Sequence, residues 1–198
     1  MQVKKDELYQ AILINAESIF FEQGFKGASL RQIAKLSKTT IGNLYHYFES
    51  KEALFEALVK GEYEGFIYLI KNHNDMENAD PTLLLGNKKL WRDTLKAIIQ
   101  KLSPIFSRRF YLLLNCSQGT RYEQVREEFL RFMKEHFVEH LKESESHCAE
   151  ELGSIISEQV LSSILAIIRD YQDEEKKGEL ITEMLLFILI GVMGLMET

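Results

Sequence analysis

Residues 29–51, SLRQIAKLSKTTIGNLYHYFESK, contain two short helical patterns that are separated by a few polar residues. Ser29 and Gln32 have the spacing of a capping box, which predicts the start of the first helix. That helix is expected to end by about Leu36, and Thr40 is a good N-cap for the second. Two short helices with a tight turn between them form a helix-turn-helix, in which the second helix enters the major groove of DNA.

The flanking residues predict a three-helix domain around this motif. An amphipathic helix is expected from Lys5 to Gln23, stopped by Gly24 in the C′ position with Phe25 folding back onto it. Ser50 is expected to cap a long helix that ends near residue 70. The residues predicted to face inward are Ile12, Ala16, Phe20, Leu30, Ile33, Ala34, Leu44, Tyr45 and Phe48.

The identities of particular residues indicate the class of this motif more specifically than helical periodicity alone. They are Ile33-Ala34, Gly42, Leu44-Tyr45-His46-Tyr47-Phe48 and Ser50-Lys51-Glu52-Ala53-Leu54, preceded by Ile19, Phe20, Gly24, Phe25 and Ser29. Together they resemble the DNA-binding domain of TetR-family transcriptional regulators over about the first 60 residues.

The turn of the motif departs from that family pattern. Ser37, Lys38, Thr39 and Thr40 stand where the family usually has a small residue, Gly, an aliphatic residue and Ser. A non-Gly residue at a turn position that needs a positive φ costs about 1 kcal/mol.

The resemblance implies DNA contacts at Arg31, Thr40, Ile41, Asn43, Tyr45, His46 and Lys51. Side-chain chemistry then separates base contacts from phosphate contacts. Asn43 suits a bidentate pair with adenine, Arg31 suits guanine, and Ile41 suits a thymine methyl group. For Asn43, a solvated helix position is the alternative.

The other four side chains suit the DNA backbone. Lys51 and Thr40 carry hydrogen-bond donors for phosphate oxygens, and His46 suits either a base or a phosphate. Tyr45 can pack with its ring and still reach a phosphate with its hydroxyl group. Phe48, by contrast, is expected to be a core residue, as aromatic residues at helical spacing usually are.

The formal net charge of −6 is unusual for a DNA-binding protein. Residues 1–60 hold eight Lys or Arg and seven Asp or Glu, so the acidic excess lies in the rest of the chain. A local group of cations, rather than the overall charge, makes a phosphate-binding surface. The cations expected near the DNA are Lys26, Arg31, Lys35, Lys38 and Lys51.

The composition indicates an all-α protein in a reducing compartment. Hydrophobic residues make up 45% of the 198, only two prolines occur, and long stretches have helical periodicity, which predicts about nine helices. Met1 is followed by charged residues rather than by the apolar core of a signal peptide, and the two cysteines are too few for a disulfide framework. A cytoplasmic protein is therefore expected. The uncharged segment 184–196 is shorter than the roughly 20 residues that span a bilayer, so no membrane association is expected.

The resemblance implies two domains. Residues 1–50 are expected to bind DNA and to be linked through the helix 51–71 to a regulatory domain, residues 51–198. Further helices are predicted at 88–102, 109–116, 120–142, 150–171 and 178–196. Regulatory domains of this family typically enclose a ligand-binding pocket and form homodimers.

The helices from residue 88 to residue 142 carry more aromatic residues and Met than a tight three-helix bundle usually needs. They are therefore predicted to enclose a ligand pocket, with ordinary core packing as the alternative for each residue. The predicted lining residues are Trp91, Phe110, Asn115, Phe129, Met133 and His136.

The last two helices are expected to pair with their symmetry mates as a four-helix bundle, because they carry too many apolar groups for one monomer surface. The predicted interface residues are Ile156, Ile164, Leu185 and Ile188.

One run of residues has the spacing of metal ligands. His136, His140, Glu143 and His147 recur at i, i+4, i+7 and i+11, and His pairs four residues apart can bind zinc or nickel. Charged helices often carry such residues on a solvated face, so no metal is predicted, although the question stays open. No Ser/His/Asp order, nucleotide-binding glycine loop or CxxC pair occurs, so neither an enzyme nor a cofactor is expected.

These features favour a transcriptional regulator, specifically a repressor that a small hydrophobic effector releases from a palindromic operator in double-stranded DNA. The alternative is a DNA-bound scaffold or regulator that responds to a protein partner rather than to a small molecule. Whether the effector releases or recruits DNA is open at this point.

Overall fold

The computed structural model describes residues 2–76, 89, 92–93, 96–97, 106–143 and 146–196. The chain is all-α, as predicted, and eight helices lie within these ranges. They are α1 (Gln2–Gly27), α2 (Leu30–Leu36), α3 (Ile41–Tyr45), α4 (Lys51–Met76), α5 (Arg108–Asn115), α6 (Val125–Glu143), α7 (Ala149–Asp170) and α8 (Glu174–Met196). The helix predicted at 88–102 falls mostly outside the described residues.

The chain divides into two compact units. The first consists of Met1–Gly65 and Arg108–Arg126, and the second of Phe66–Ser107 and Glu127–Thr198. The predicted division into residues 1–50 and 51–198 concerns which residues bind DNA and which regulate, and it stays a prediction.

The path of α1 changes at Gly24, whose φ of 67° and ψ of 170° are not helical. This confirms the predicted end of the regular helix, because glycine adopts a positive φ without steric cost. Beyond the kink Phe25 is buried, and its ring centroid lies 6.0 Å from that of Phe20 and 5.4 Å from that of Phe55. Phe25 therefore folds back onto the core of the first unit, as expected.

Side-chain caps fix the starts of α3 and α4. The backbone N–H of Asn43 donates to Thr40 Oγ1 at 3.1 Å, and the backbone N–H of Ala53 donates to Ser50 Oγ at 3.0 Å. Both predicted caps are confirmed, and each satisfies a backbone donor that the first helical turn leaves unpaired.

The predicted capping box at the start of α2 is wrong. Ser29 makes no side-chain hydrogen bond to the first turn of α2. Gln32 instead accepts a hydrogen bond from Gln23 Nε2 of α1 at 3.3 Å. The side chain of Gln32, which the local pattern assigned to the cap of α2, therefore pairs with a residue of another helix.

The predicted core of the helix-turn-helix is correct except at its edges. Ile33, Ala34 and Leu44 are buried, whereas Leu30 is only half-buried. Tyr45, predicted to face inward, is 49% exposed. Successive residues of a helix point about 100° apart, and in the short α3 Leu44 faces the core while Tyr45 lies at its edge.

The turn between α2 and α3 contains the strained residue that the sequence predicts. Lys38 has a φ of 53°, in the left-handed region that favours glycine. The turn is nevertheless held by backbone hydrogen bonds, since the N–H of Lys38 donates to Lys35 O at 3.1 Å and that of Thr39 donates to Ala34 O at 3.0 Å.

Lys38→Gly is expected to raise the free energy of unfolding by up to about 1 kcal/mol, because glycine removes the strain of the positive φ and loses some of that gain to unfolded-state entropy. Lys35→Gly removes the same charge from the last turn of α2 and is expected to lower stability by up to about 1 kcal/mol. Chemical denaturation of both variants measures the difference. Equal destabilisation by the two would show that Lys38 is not strained.

The segment that follows α5 is joined to α1 within the first unit. The N–H of Phe25 donates to Cys116 O at 2.9 Å, and Arg109 Nε pairs with Glu17 Oε2 at 2.9 Å. Gly119 has a φ of 89°, and a Cβ atom there would lie 3.0 Å from Cε of Lys26. This segment therefore lies directly against the end of α1 that leads into the helix-turn-helix.

In the second unit, α7 contacts both α6 and α8. A Cβ atom on Gly153 of α7 would lie 2.4 Å from Val138 Cγ2 of α6, so the missing side chain permits a close approach of the two helices. The inward face of α7 is apolar, and its buried residues include Val160, Leu161, Ile164, Leu165 and Ile168.

Among the described residues, α7 is also long and apolar enough to cross a membrane, with a mean hydropathy of 1.4. Buried residues make up 39% of that stretch. Length and composition of one such helix do not distinguish a membrane span from a core helix, and here the apolar face of α7 packs against the chain itself.

Candidate nucleic-acid interface

Five of the seven predicted DNA contacts have exposed side chains on or beside α2 and α3. Ile41 is 37% exposed and Tyr45 is 49% exposed. Arg31, Thr40 and His46 also belong to the exposed class. Phe48, in contrast, is only 5% exposed. The motif therefore presents polar and aromatic groups, together with Ile41, to solvent around a core formed by Ile33, Ala34, Leu44 and Phe48.

Asn43, the predicted base-reading residue, is half-buried and held at two points. Its backbone N–H donates to Thr40 Oγ1, and its side-chain Nδ2 donates to Thr39 Oγ1 at 2.8 Å. Asn43 is thus only partly exposed and is held in place, and its contact with a base stays a prediction.

Lys51, the predicted phosphate contact, also has a structural role. Its ammonium group donates to Phe25 O at 2.8 Å and to Ala28 O at 3.2 Å, and lies 4.5 Å from the centroid of the Phe25 ring. An ammonium group has three donors, so these two carbonyls leave one for a phosphate. Lys51 therefore ties the start of α4 to the end of α1.

The first turn of α4 carries a negative charge beside Lys51. The pKa of Glu52 is lowered, because its carboxylate accepts hydrogen bonds from its own backbone N–H and from the Ser50 hydroxyl, with a smaller effect of the Lys51 charge. An ionised carboxylate stabilises a helix N-terminus, and it also offsets part of the attraction of that terminus for a phosphate.

Sequence reasoning missed the residues that hold the turn in place. Asn15 Nδ2 of α1 donates to Ala11 O at 2.8 Å and to Ser37 Oγ at 3.1 Å, and Ser37 is only 6% exposed. Ser37 and Thr39 both lie in the turn that departs from the family pattern, and Thr39 stands where the family usually has an aliphatic residue. That departure was the signal that could have identified them.

The residues predicted to line a ligand pocket lie in both units. In the first unit Phe110 is fully buried, and the exposed Asn115 accepts a hydrogen bond from Arg126 Nη1 at 2.7 Å. In the second unit Phe129 is buried, with its ring centroid 5.5 Å from that of Phe66.

Two further predicted pocket residues, Met133 and His136, are half-buried on α6. Trp91 lies outside the described residues. The predicted pocket at 88–142 spans residues that the structure does not describe, so it stays a prediction.

Of the four residues at metal-ligand spacing, His136 and His140 lie next to each other. The His136 and His140 rings meet edge to face with centroids 4.6 Å apart, whereas the side chain of Glu143 is not described. Within the described residues, no three His, Cys, Asp or Glu side chains are grouped closely enough to hold a metal ion. Burial raises the pKa of the Cys116 thiol to about 11, which identifies it as a core residue rather than a nucleophile.

The residues predicted for a dimer interface differ in exposure. Ile156, Leu185 and Ile188 are half-buried, but Ile164 is only 3% exposed because it faces the interior of the second unit. Ile164 therefore departs from the prediction. Among the side chains that the structure describes on α7 and α8, the large apolar ones that are exposed are Ile155 (60% exposed), Phe187 (80%) and Ile190 (42%).

Residues 12–58 match the family model of bacterial regulatory proteins, tetR family. The HTH-type transcriptional regulator UidR of Escherichia coli (strain K12) is 41% identical over 64 residues, which are 32% of this chain and 33% of UidR. The biofilm operon icaADBC HTH-type negative transcriptional regulator IcaR of Staphylococcus epidermidis is 31% identical over 70 residues, which are 35% and 38% of the two chains. The chain thus matches about a third of the length of these relatives.

A similarity of fold extends over most of the chain. The crystal structure of AibR in complex with isovaleryl coenzyme A and operator DNA covers 89% of this chain and 97% of its own, with a TM-score of 0.53 and 16% sequence identity. At this identity the likeness establishes the fold alone. The match at residues 12–58 establishes more, because it falls on the capped helix-turn-helix described above. Residues 12–58 are therefore similar to the DNA-binding domain of bacterial regulatory proteins of the tetR family, and the chain as a whole is similar in fold to AibR.

Proposed function

We propose that the protein is a cytoplasmic, homodimeric repressor that binds a palindromic operator in double-stranded DNA and is released from it by a small hydrophobic effector. The observation that carries the DNA-binding part is the exposure of Arg31, Thr40, Ile41, Tyr45 and His46 around a short, capped helix. In a helix-turn-helix, such side chains reach base edges and phosphates. The name of the relative IcaR, a negative regulator, supports repression.

Different side chains carry the two parts of DNA binding in this proposal. Arg31 and Ile41 are exposed and, with Asn43, are proposed to contact base edges. Tyr45 and the third donor of Lys51 are proposed to contact phosphates. Loss of a base contact should therefore change sequence preference, whereas loss of a phosphate contact should weaken binding to every sequence.

Asn43→Ala is expected to reduce the preference for operator over random DNA by about 5- to 100-fold, because a bidentate contact to one base contributes about 1–3 kcal/mol of discrimination. The slope of log affinity against log salt concentration should not change, since no phosphate contact is lost. Fluorescence anisotropy at several salt concentrations measures both quantities. An equal loss on operator and random DNA would rule out base reading by Asn43.

The proposed dimer interface is formed by α7 and α8. Two large apolar side chains there are more than half exposed, those of Ile155 and Phe187. Their neighbours in the sequence include three half-buried residues, Ile156, Leu185 and Ile188. An open groove of about 450 Å³ along α7 is lined by Ser154, Ile155, Glu158, Gln159 and Ser162. The small serine side chains leave room for a large group, and Phe187 of the second protomer is proposed to fill it.

The proposed effector site includes one face of α6. Phe129, Met133 and His136 follow one another at i, i+4 and i+7, so they share that face, and only Phe129 is fully covered. Aromatic rings and Met suit a hydrophobic guest, with His136 as a polar group that orients it. AibR, which shares the fold, binds isovaleryl coenzyme A together with operator DNA in its crystal structure, and this supports a small-molecule effector.

The alternative is a DNA-bound regulator that responds to a protein partner. Ligand screening distinguishes it from the proposed repressor that responds to a small molecule. The proposal predicts that some hydrophobic compound raises the melting temperature of the protein and, in gel shifts, lowers its affinity for operator DNA. A ligand at 100 times its dissociation constant stabilises the folded state by about 2.7 kcal/mol. A broad panel of hydrophobic acids, cations and acyl thioesters that changes neither quantity would favour the protein-partner alternative.

A further inference from the structure

Thr39 and Thr40 hold Asn43 by two separate hydrogen bonds. Thr40 Oγ1 accepts from the backbone N–H of Asn43 at 3.1 Å, and Thr39 Oγ1 accepts from its side-chain Nδ2 at 2.8 Å. The first is an ordinary helix cap. The second contributes nothing to helix capping and fixes only the orientation of the carboxamide group.

Thr39 is itself well placed to fix another side chain. Its backbone N–H donates to Ala34 O at 3.0 Å, and its side chain is half-buried. A β-branched residue has few accessible χ1 angles, so the hydroxyl group of Thr39 has a defined position. Where the family usually has an aliphatic residue, this chain therefore has a hydrogen-bond acceptor four residues before the predicted base contact.

The bond to Thr39 decides which groups Asn43 offers to DNA. A carboxamide has two N–H donors and one oxygen acceptor, and Thr39 takes one donor. One donor and the oxygen remain, which match the N7 acceptor and the N6 donor of adenine. A flipped amide, whose oxygen accepted from the Thr39 hydroxyl, would offer two donors and match N7 and O6 of guanine.

We propose that Thr39 is a positioning residue which, through its hydrogen bond to Asn43 Nδ2, makes adenine the preferred base at the position that Asn43 contacts. This inference rests on the proposed DNA-binding function. It assigns base preference in this chain to a turn residue that does not itself contact a base.

The test compares hydroxyl-free and hydroxyl-bearing residues at position 39 in the full chain. The four DNA probes are the site that the wild-type protein selects from random double-stranded DNA and its three variants at the base pair whose preference Asn43→Ala abolishes. Thr39→Val keeps the shape of the side chain and removes the hydroxyl, Thr39→Ser keeps the hydroxyl, and Thr39→Ala is a second hydroxyl-free variant. Dissociation constants on all four probes, and thermal melts of each variant, are measured.

The wild type is expected to prefer adenine, and Thr39→Val and Thr39→Ala are expected to lower that preference by roughly 5-fold or more, the size of one base contact. Thr39→Ser should retain it, and the salt dependence should be unchanged in all three. In the Asn43→Ala background, Thr39→Val should have no further effect on base preference, because both residues act on the same contact.

Other outcomes overturn the inference. A preference for guanine would mean that the amide is flipped, and an equal loss of affinity on all four probes would mean that Thr39 only stabilises the fold. Full retention of the adenine preference by both hydroxyl-free variants would show that Thr39 does not position Asn43. If the wild-type protein selects no site at all, the proposed function fails as well, which distinguishes that result from the others.

Discussion

Phe187→Glu is expected to convert the protein from a dimer into a monomer and to lower its affinity for operator DNA by about 100-fold or more. Phe187 is 80% exposed in the single chain, and the proposed dimer buries it against α7 of the partner. A carboxylate buried there without a partner would cost several kcal/mol. A monomer would retain one DNA-binding domain and lose the gain in effective concentration that two linked domains provide.

The matched control is Ile14→Glu, which places the same charge on another large apolar side chain, 64% exposed on α1 of the first unit. This variant should remain a dimer. Light scattering at micromolar concentration measures the oligomeric state of both. If the Phe187 variant stays a dimer with undiminished operator affinity, the proposed α7–α8 interface is incorrect.

Lys51→Met is expected to lower the free energy of unfolding by about 1–3 kcal/mol and to weaken binding to all DNA sequences. The ammonium group of Lys51 satisfies two carbonyls, those of Phe25 and Ala28, and removing a donor leaves buried acceptors unpaired. Methionine keeps the contact with the Phe25 ring, so the change isolates the charge and its hydrogen bonds. The salt slope should fall by about one if the third donor meets a phosphate.

Lys35→Met serves as the control, because Lys35 is an exposed residue on α2 and its side chain is the same as that of Lys51. Its removal should leave thermal stability within about 0.5 kcal/mol of the wild type, as for most surface substitutions. Urea denaturation and anisotropy titrations on random DNA report the two effects separately. A Lys51 variant as stable as the Lys35 variant would show that the two carbonyl contacts contribute little.

The sequence predicted those features of the fold that depend on local chemistry. Thr40 and Ser50 cap their helices, and Gly24 turns the chain with a positive φ, because each needs only its immediate neighbours. The strain at Lys38 was predictable for the same reason. Helical periodicity was less reliable for the short α3, because it predicted that Tyr45 faces inward, whereas this residue is half-exposed.

Features that depend on distant partners could not be predicted. Gln32 pairs with Gln23 rather than with the cap of its own helix, and the ammonium group of Lys51 reaches carbonyls more than 20 residues earlier. Neither partner has a sequence signature. In the same way, amphipathic spacing could not tell that the buried Ile164 faces the interior while Phe187 remains exposed, since both lie on helices that are apolar over much of their surface.

Selection from random double-stranded DNA by the full chain tests the central claim most directly, namely that a dimer reads an operator through its two helix-turn-helix motifs. The account predicts enrichment of an inverted repeat whose half-sites are centred about 10–10.5 base pairs apart, or a multiple of that distance, with adenine at the position read by Asn43. Footprinting on the selected site should protect both half-sites. Failure to enrich any repeated sequence, with equal affinity for selected and random DNA, would contradict the account.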